Sequence, residues 1–463
     1  MRLRLYTRIR VIVLGLSLLL CLTTTAQGQS GSAGAPPQPG LYAFVNARLI
    51  TMQSPAITAG NLIVDGARIV ALGEVEVPPG AQVIDVAGGY IMPGLAEMHA
   101  HVPSPSQGQS YRDEVLFLWV AYGITTARGM LGHPDHLKLR DDLAAGRLWG
   151  PRLVTSGPSF NGRSVSSPEQ ARSMVREQHQ LGYDFLKIHP GLTLAEYSAM
   201  AETAHEVGIA FAGHVPAEVG IDKALSVRQL TIDHLDGYLQ GLVPDLALDD
   251  PAQRSFFGAA LAGRADMSRL PALVEQTRQA GSWLVPTETL FINFAEADQL
   301  GALLRREDVA YLPPPLRERY VEALQGARDQ VADAQRYLAV RQQMLMAMHE
   351  AGVGILLGSD SPQIFNVPGF SIHRELAAMV EAGMSPYEAL ATGTVKVAQF
   401  LGDADGGTLA VGKRADLVVV AGNPLKDIRH SREVQGVMVQ GRWLNAATRA
   451  TELARIRAQH SGQ

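Results

Sequence analysis

Ile91-Met-Pro-Gly-Leu-Ala-Glu-Met-His-Ala-His101 is the stretch on which the reading of this chain turns. His99 and His101 stand at i and i+2. On a strand such side chains leave from one face, roughly 7 Å apart along the chain. Two imidazoles on one face, just after an apolar run and a Pro-Gly, have the form of half a metal site. A lone His-x-His is equally at home in an ordinary loop, so the rest of the chain decides its meaning.

Outward from this stretch the texture changes on both sides. Upstream, Leu41–Met52, Leu62–Leu72 and Gln82–Val86 read as short strands, divided by Asp65-Gly66, Pro78-Pro79-Gly80 and Gly88-Gly89. Downstream, helical stretches alternate with short apolar strands. The expected strands are Tyr122–Ala127, Arg152–Thr155, Asp184–Ile188, Gly208–His214, Thr231–Leu235, Trp283–Pro286 and Val353–Gly358. The helices between them include Ser167–Leu181, Leu194–Val207, Ile221–Ser226, Leu270–Ala280 and Ala334–Ala351. This is the pattern of an α/β protein, a (β/α)8 TIM barrel over residues 93–401. A long stretch from Thr287 to about Asp333 breaks the rhythm, either as helical cover over the mouth or as a plain surface insertion. After Phe400 the strand pattern returns in Asp416–Val420 and Val434–Gln440. Neither flanking β segment is large enough for its own core, so residues 41–92 and 402–446 are expected to build one composite β-sandwich. Residues 447–463 read as a surface helix with a frayed end.

The N-terminus is a separate object. Arg2, Arg4, Arg8 and Arg10 precede an apolar run from Val11 to Leu22, followed by Thr24-Thr25-Ala26. This is the layout of a signal peptide over residues 1–26, with a flexible linker over 27–40 and a periplasmic or secreted destination. No stable membrane span is expected once the signal is cleaved. Cys21 is the single cysteine, which also raises a lipid-anchored reading, though the bulky Leu20 precedes it. Without thiols beyond residue 26, a metal would be held by nitrogen and oxygen. The formal charge of -5 gives no footprint for a nucleic-acid partner. The chain is open to forming a homo-oligomer.

A barrel collects its chemistry where the strands end. Beyond His99 and His101, the strand ends present Lys187, His214, His234 and Asp360. Singly each has a plainer role: a loop residue for His214, a bonded core histidine for His234, a helix cap for Asp360. Lys187 in an apolar strand is harder to dismiss, because an unpaired buried ammonium is costly. Jointly the plain roles would require a series of independent accidents. Divalent ions held by such groups acidify water and polarise a carbonyl. Arg128, His133, His136, Tyr238, Asn366 and His373 are the candidates for the substrate side.

At these residues the chain resembles the amidohydrolase superfamily of metal-dependent hydrolases, its imidazolonepropionase-like and prolidase-like (Xaa-Pro dipeptidase-like) members above all. The resemblance runs over about residues 40–446. It is carried by Pro93-Gly-Leu-Ala-Glu-Met-His-Ala-His101, Lys187, His214, His234, Gly358-Ser-Asp360, Gly406-Gly-Thr-Leu409 and Gly412-Lys-Arg-Ala-Asp-Leu417. It implies two divalent ions, zinc first among them. His99, His101 and Asp360 would hold one ion, His214 and His234 the other, and a carboxylated Lys187 would bridge them. Asp360 would also shuttle the proton, and Tyr238 is expected to assist at the substrate carbonyl. The implied reaction is cleavage of the amide C–N bond of a small-molecule or dipeptide substrate, a dipeptide or N-acyl amino acid, by water activated at the ions. Lactonase, esterase or phosphotriesterase-like hydrolysis at the same dinuclear site is the alternative, and a non-enzymatic protein on a decayed barrel is a third. Ala96, Glu97 and Ser359 depart from the usual motif without removing a ligand.

Overall fold

The computed structural model describes residues 34–328 and 333–461. The expected signal segment, 1–26, lies outside the described residues. No helix among them is long and apolar enough to cross a membrane.

The two terminal β segments pair with each other. Leu41–Ile50 sits between Tyr90–Pro93 and Ile57–Asp65, and Tyr90–Pro93 pairs on its other side with Leu417–Val420. Val434–Val439 and Arg442–Leu444 continue the sheet at one end and Arg68–Gly73 ends it at the other, while Gln82–Asp85 adds to Leu41–Ile50. The result is one continuous eight-stranded sheet. It curls so that Trp443 meets Phe44 edge-on at 5.0 Å, although their strands are four apart in the sheet order. Leu62, Val64, Ile69, Leu417 and Met438 fill the inside of the curl. Burial of these side chains from both ends of the chain is what neither end supplies alone.

The remaining strands are all parallel. One group is Leu95–Ala100, Ile124–Gly129 and Arg152–Thr155; the other is Leu186–Ile188, Phe211–Gly213, Thr231–Asp233 and Trp283–Val285. Single parallel bridges join Ser156 to Phe185, Leu284 to Ile355 and Ala100 to Ser361. The strand expected over Val353–Gly358 is a short segment with one bridge, from Ile355 to Leu284, held by backbone bonds from Leu284 N to Gly354 O and from Met98 N to Leu357 O. Helix ends follow their local chemistry. Ser167 caps Pro168–Leu181 and Thr193 caps Leu194–Val207 in a reciprocal box with Glu196.

The stretch after Thr287 is helical, with Glu288–Ala295, Leu300–Leu304 and Pro314–Ala327. The C-terminal helix Ala446–Ser461 keeps an exposed face but docks through the other. Ile456 is fully buried, and the His460 ring lies 2.8 Å from Glu114 on the helix Gln109–Ala121. At the N-terminal ends of the parallel strands, Arg152 and Arg414 both grip Asp403, at 2.7 and 2.6 Å, and Arg414 also holds Asp416 at 2.5 Å. This network ties the curled sheet to the parallel strands.

Candidate metal centre

Five imidazoles form a continuous run at the C-terminal strand ends. Ring centroids are 5.5 Å apart for His99–His101, 4.4 Å for His99–His234, 4.7 Å for His234–His214 and 5.1 Å for His214–His189. His99, His101 and Asp360 are the tightest part, with one donor atom from each inside a 4.8 Å span. His101 Nε2 lies 2.7 Å from Asp360 Oδ1, yet Asp360 Oδ1 makes no hydrogen bond among the described residues. Two lone pairs thus converge on one point, which is the geometry a cation satisfies.

Two of the rings are oriented by hydrogen bonds from behind. Asp236 accepts from His214 Nδ1 at 3.1 Å, and Thr287 Oγ1 meets His234 Nδ1 at 2.8 Å. Asp233 Oδ2 stands 3.2 Å from His99 Nδ1, but too poorly aligned for a hydrogen bond. Outer partners of this kind fix which ring nitrogen faces a metal. Burial, then the charge of Lys187, holds the His99 and His214 pKa values well below the ordinary imidazole range, and burial does the same for His234. Neutral imidazoles are the ligating form.

Lys187 is fully buried, with Nζ 3.4 Å from Asp233 Oδ2. Burial lowers its pKa, against the pull of Asp233. The lysine can lie across the next strand only because Gly213 has no side chain: a Cβ there would come within 2.9 Å of Lys187 Cδ, at a φ of 126°. His234 and Asp360 hold φ values of 64° and 63°, and Thr287 holds 53°. Left-handed backbone at three non-glycine residues of one site is strain that surrounding contacts must hold in place. Glu97 supplies one such contact. It accepts from Ser359 N at 2.7 Å, from His99 N at 3.1 Å and from the Ser359 hydroxyl, and burial pushes its pKa up to about 8. Arg341 supplies another, donating to His234 O and Pro286 O while paired with Glu288 at 2.7 Å. Beside His214 and Asp236 opens a cavity of about 500 Å³ lined by Leu192, Phe256, Phe257 and Ser255.

All six expected ligands therefore meet in one place, but the expected substrate-side residues do not. Tyr238 is a correction. Its fully buried hydroxyl bonds Thr277 Oγ1 at 2.9 Å, on the outer helix Leu270–Ala280, and burial raises its pKa further. Arg128 is also internal, donating to Met98 O at 2.8 Å and to Asp233 at 3.4 Å. His133 and His136 bond within their own turn. His373 bonds Ser431 and Tyr122 O. Asn366 donates to Ser359 O, so it braces the Asp360 segment. In turn, His189, Asp233, Asp236 and Thr287 were not read from the sequence. Lys187-Ile188-His189 repeats the i, i+2 spacing of His99 and His101, which was the available signal.

The Amidohydrolase family model matches residues 90–444. The imidazolonepropionase of Anaeromyxobacter dehalogenans is 27% identical over 386 residues, covering 77% of this chain and 82% of that protein. A solved structure from Bifidobacterium longum assigned as a prolidase is 24% identical, covers 91% of this chain and 100% of its own, and has a TM-score of 0.65. A bottromycin amidohydrolase is 22% identical with a TM-score of 0.68, covering 92% of this chain and 91% of its own. The parallel strands, the ring of imidazoles and this match define the class: the chain belongs to the amidohydrolase family and is a hydrolase acting on carbon–nitrogen bonds.

Proposed function

We propose that the chain is a dinuclear metal-dependent amidohydrolase that cleaves the amide bond of a dipeptide or N-acyl amino acid. The observation that carries the reading is the approach of His101 Nε2 to Asp360 Oδ1 at 2.7 Å without a hydrogen bond on Asp360 Oδ1, beside His99. His99, His101 and Asp360 would hold one ion, and His214 and His234 the second. When bound, divalent ions lower the pKa of water and polarise the scissile carbonyl. Zinc suits this imidazole and carboxylate set. Asp360 accepts a proton from the attacking water and passes it to the departing amine nitrogen. Lys187, its ammonium disfavoured by burial, would as a neutral amine add to CO2 and release one proton to water, giving a carbamate that would offer oxygen ligands to the ions. Its N–H would face Asp233, whose charge Arg128 balances and whose Oδ1 accepts from the Thr231 hydroxyl. Phe256 and Phe257 beside His214 exclude water and take an apolar substrate group.

The bridges at Ser156, Leu284 and Ala100 support joining the two parallel sheets and the Ile355 segment into one closed (β/α)8 barrel. We also read residues 1–26 as an export signal and the working location as periplasmic or secreted.

The test is turnover by metal-reconstituted protein on a panel of dipeptides and N-acyl amino acids, set against lactones and aryl esters. Release of free C-terminal amino acid is expected. Turnover confined to esters or lactones overturns the amide reading.

A further inference from the structure

A second cavity, of about 380 Å³, opens on the helix Phe370–Ala382. None of its lining residues belongs to the histidine cluster. Its wall holds Arg306, Arg374, Arg429 and Arg432 against only Glu307 and Asp308. Three of the guanidiniums have carboxylate partners: Arg306 with Asp308 at 2.9 Å, Arg429 with Asp427 at 2.6 Å, and Arg432 with Glu307 at a long 3.6 Å. Arg374 has no ion pair among the described residues. Its Nη1 is buried without a hydrogen-bond partner there, and its Nη2 donates to Asn293 Oδ1 at 3.0 Å. Arg306 Nη1 donates to the same oxygen at 2.9 Å. Two guanidiniums thus share one amide oxygen, and burial with the Arg306 charge lowers the Arg374 pKa to about 10. A half-buried guanidinium whose inner nitrogen is left without a partner favours an anion beside it. Phe370 and Ala377 give the same cavity an apolar wall.

We propose that this cavity is a regulatory site for a small organic carboxylate, held through its oxygens by Arg374 and Arg432 with its apolar body on Phe370 and Ala377. The carboxylate and guanidinium match as planar, multiply hydrogen-bonded partners. The link to the metal centre is short. Asn293 Nδ2 donates to Asn366 Oδ1 at 2.9 Å and to Ile364 O at 2.8 Å. Asn366 donates to Ser359 O, the residue before Asp360, and Arg306 donates to Phe365 O at 2.6 Å. An occupant that draws Arg374 from Asn293 therefore reaches the segment that positions Asp360 through one amide relay. Bound anion should change turnover more than substrate affinity.

The test is isothermal titration calorimetry of the intact, metal-loaded protein with phenylacetate and with inorganic phosphate at fixed ionic strength. One saturable phenylacetate site is expected, weakened about tenfold or more in Arg374→Gln. Arg432→Gln, at an exposed position, provides a second variant should Arg374→Gln fail to fold, and its affinity should fall by roughly threefold. Weakening in folded Arg432→Gln supports the site, because Arg432 stands outside both the histidine cluster and the amide relay, so an anion bound at the metals would not respond to it. Absence of saturable phenylacetate binding, unchanged binding in Arg432→Gln, or tighter binding of phosphate than of phenylacetate overturns it.

Discussion

The two ends of the parallel strands treat charge in opposite ways. At the N-terminal end, both oxygens of Asp403 and both of Asp416 are engaged by arginines or backbone N–H groups. At the C-terminal end, Asp360 Oδ1 and His99 Nδ1 are buried without hydrogen bonds, and His234, Thr287 and Asp360 hold left-handed backbone. At one end the carboxylates are fully engaged, though Arg152 Nε is left without a partner; the other end is arranged around something it must receive. Closed networks serve stability, and open, strained ones mark chemistry.

The largest effect should come from the open end. Asp360→Asn keeps the side-chain shape but removes the proton acceptor, so turnover should drop roughly 10²–10⁴-fold with the circular dichroism spectrum unchanged. Loss of less than tenfold would assign the proton transfer elsewhere.

Glu375 sharpens the comparison through pH. It accepts from Glu288 N and Thr289 N, both at 2.8 Å, next to the strained Thr287, and burial raises its pKa to about 7. The folded chain keeps this proton up to about pH 7, while the unfolded chain releases it near the ordinary value of 4.5. The folded state thus binds more protons across that window, and this contribution to stability falls as pH rises through it. In urea titrations, the advantage of wild type over Glu375→Gln should shrink by on the order of 1–3 kcal/mol between pH 5 and 8. A constant difference would show that Glu375 is ionised throughout.

At the closed end the outcome should reverse. Asp403→Asn should cost about 1–2 kcal/mol of unfolding free energy, discounted because the network is partly exposed, and leave turnover per folded molecule unchanged. A large loss of turnover would mean that the two ends are coupled. The smallest effect belongs to Tyr238→Phe, which removes only the bond to Thr277. Stability should fall by roughly 0.5–1.5 kcal/mol, with kcat within about twofold of wild type. A tenfold fall in kcat would return Tyr238 to the mouth.

What the sequence made legible was what has a short-range signature. Leu194–Val207 and Leu270–Ala280 are readable to the residue because the apolar period agrees with a Thr193 cap in the first, an early Pro271 in the second and a following glycine in both. The six candidate ligands are legible because each is a polar residue within or just after an apolar run. Tyr238 lies away from the mouth because four residues, three of them with left-handed backbone, separate it from the strand Thr231–Asp233. Leu235 adopts a φ of 54° and Gly237 one of 82°, which turns the tyrosine outward toward Thr277. Asp233 is not legible because a buried acid announces itself only when its partners Lys187, Arg128 and His99 are brought in from three other strands. The docking of the last helix was hidden likewise, since its polar composition gives no hint that His460 finds Glu114.

The curled sheet has a consequence for how the molecule comes into being. Tyr90–Pro93 borders Leu41–Ile50 on one side and Leu417–Val420 on the other. A chain made from its N-terminus holds this apolar edge without its second neighbour until more than 300 further residues have been synthesised. During that interval the edge is a template for pairing with any other nascent copy. The final strands and the helix behind them therefore act as the latch of the assembly, and folding yield should depend more on the last fifty residues than on any equal length of the catalytic loops.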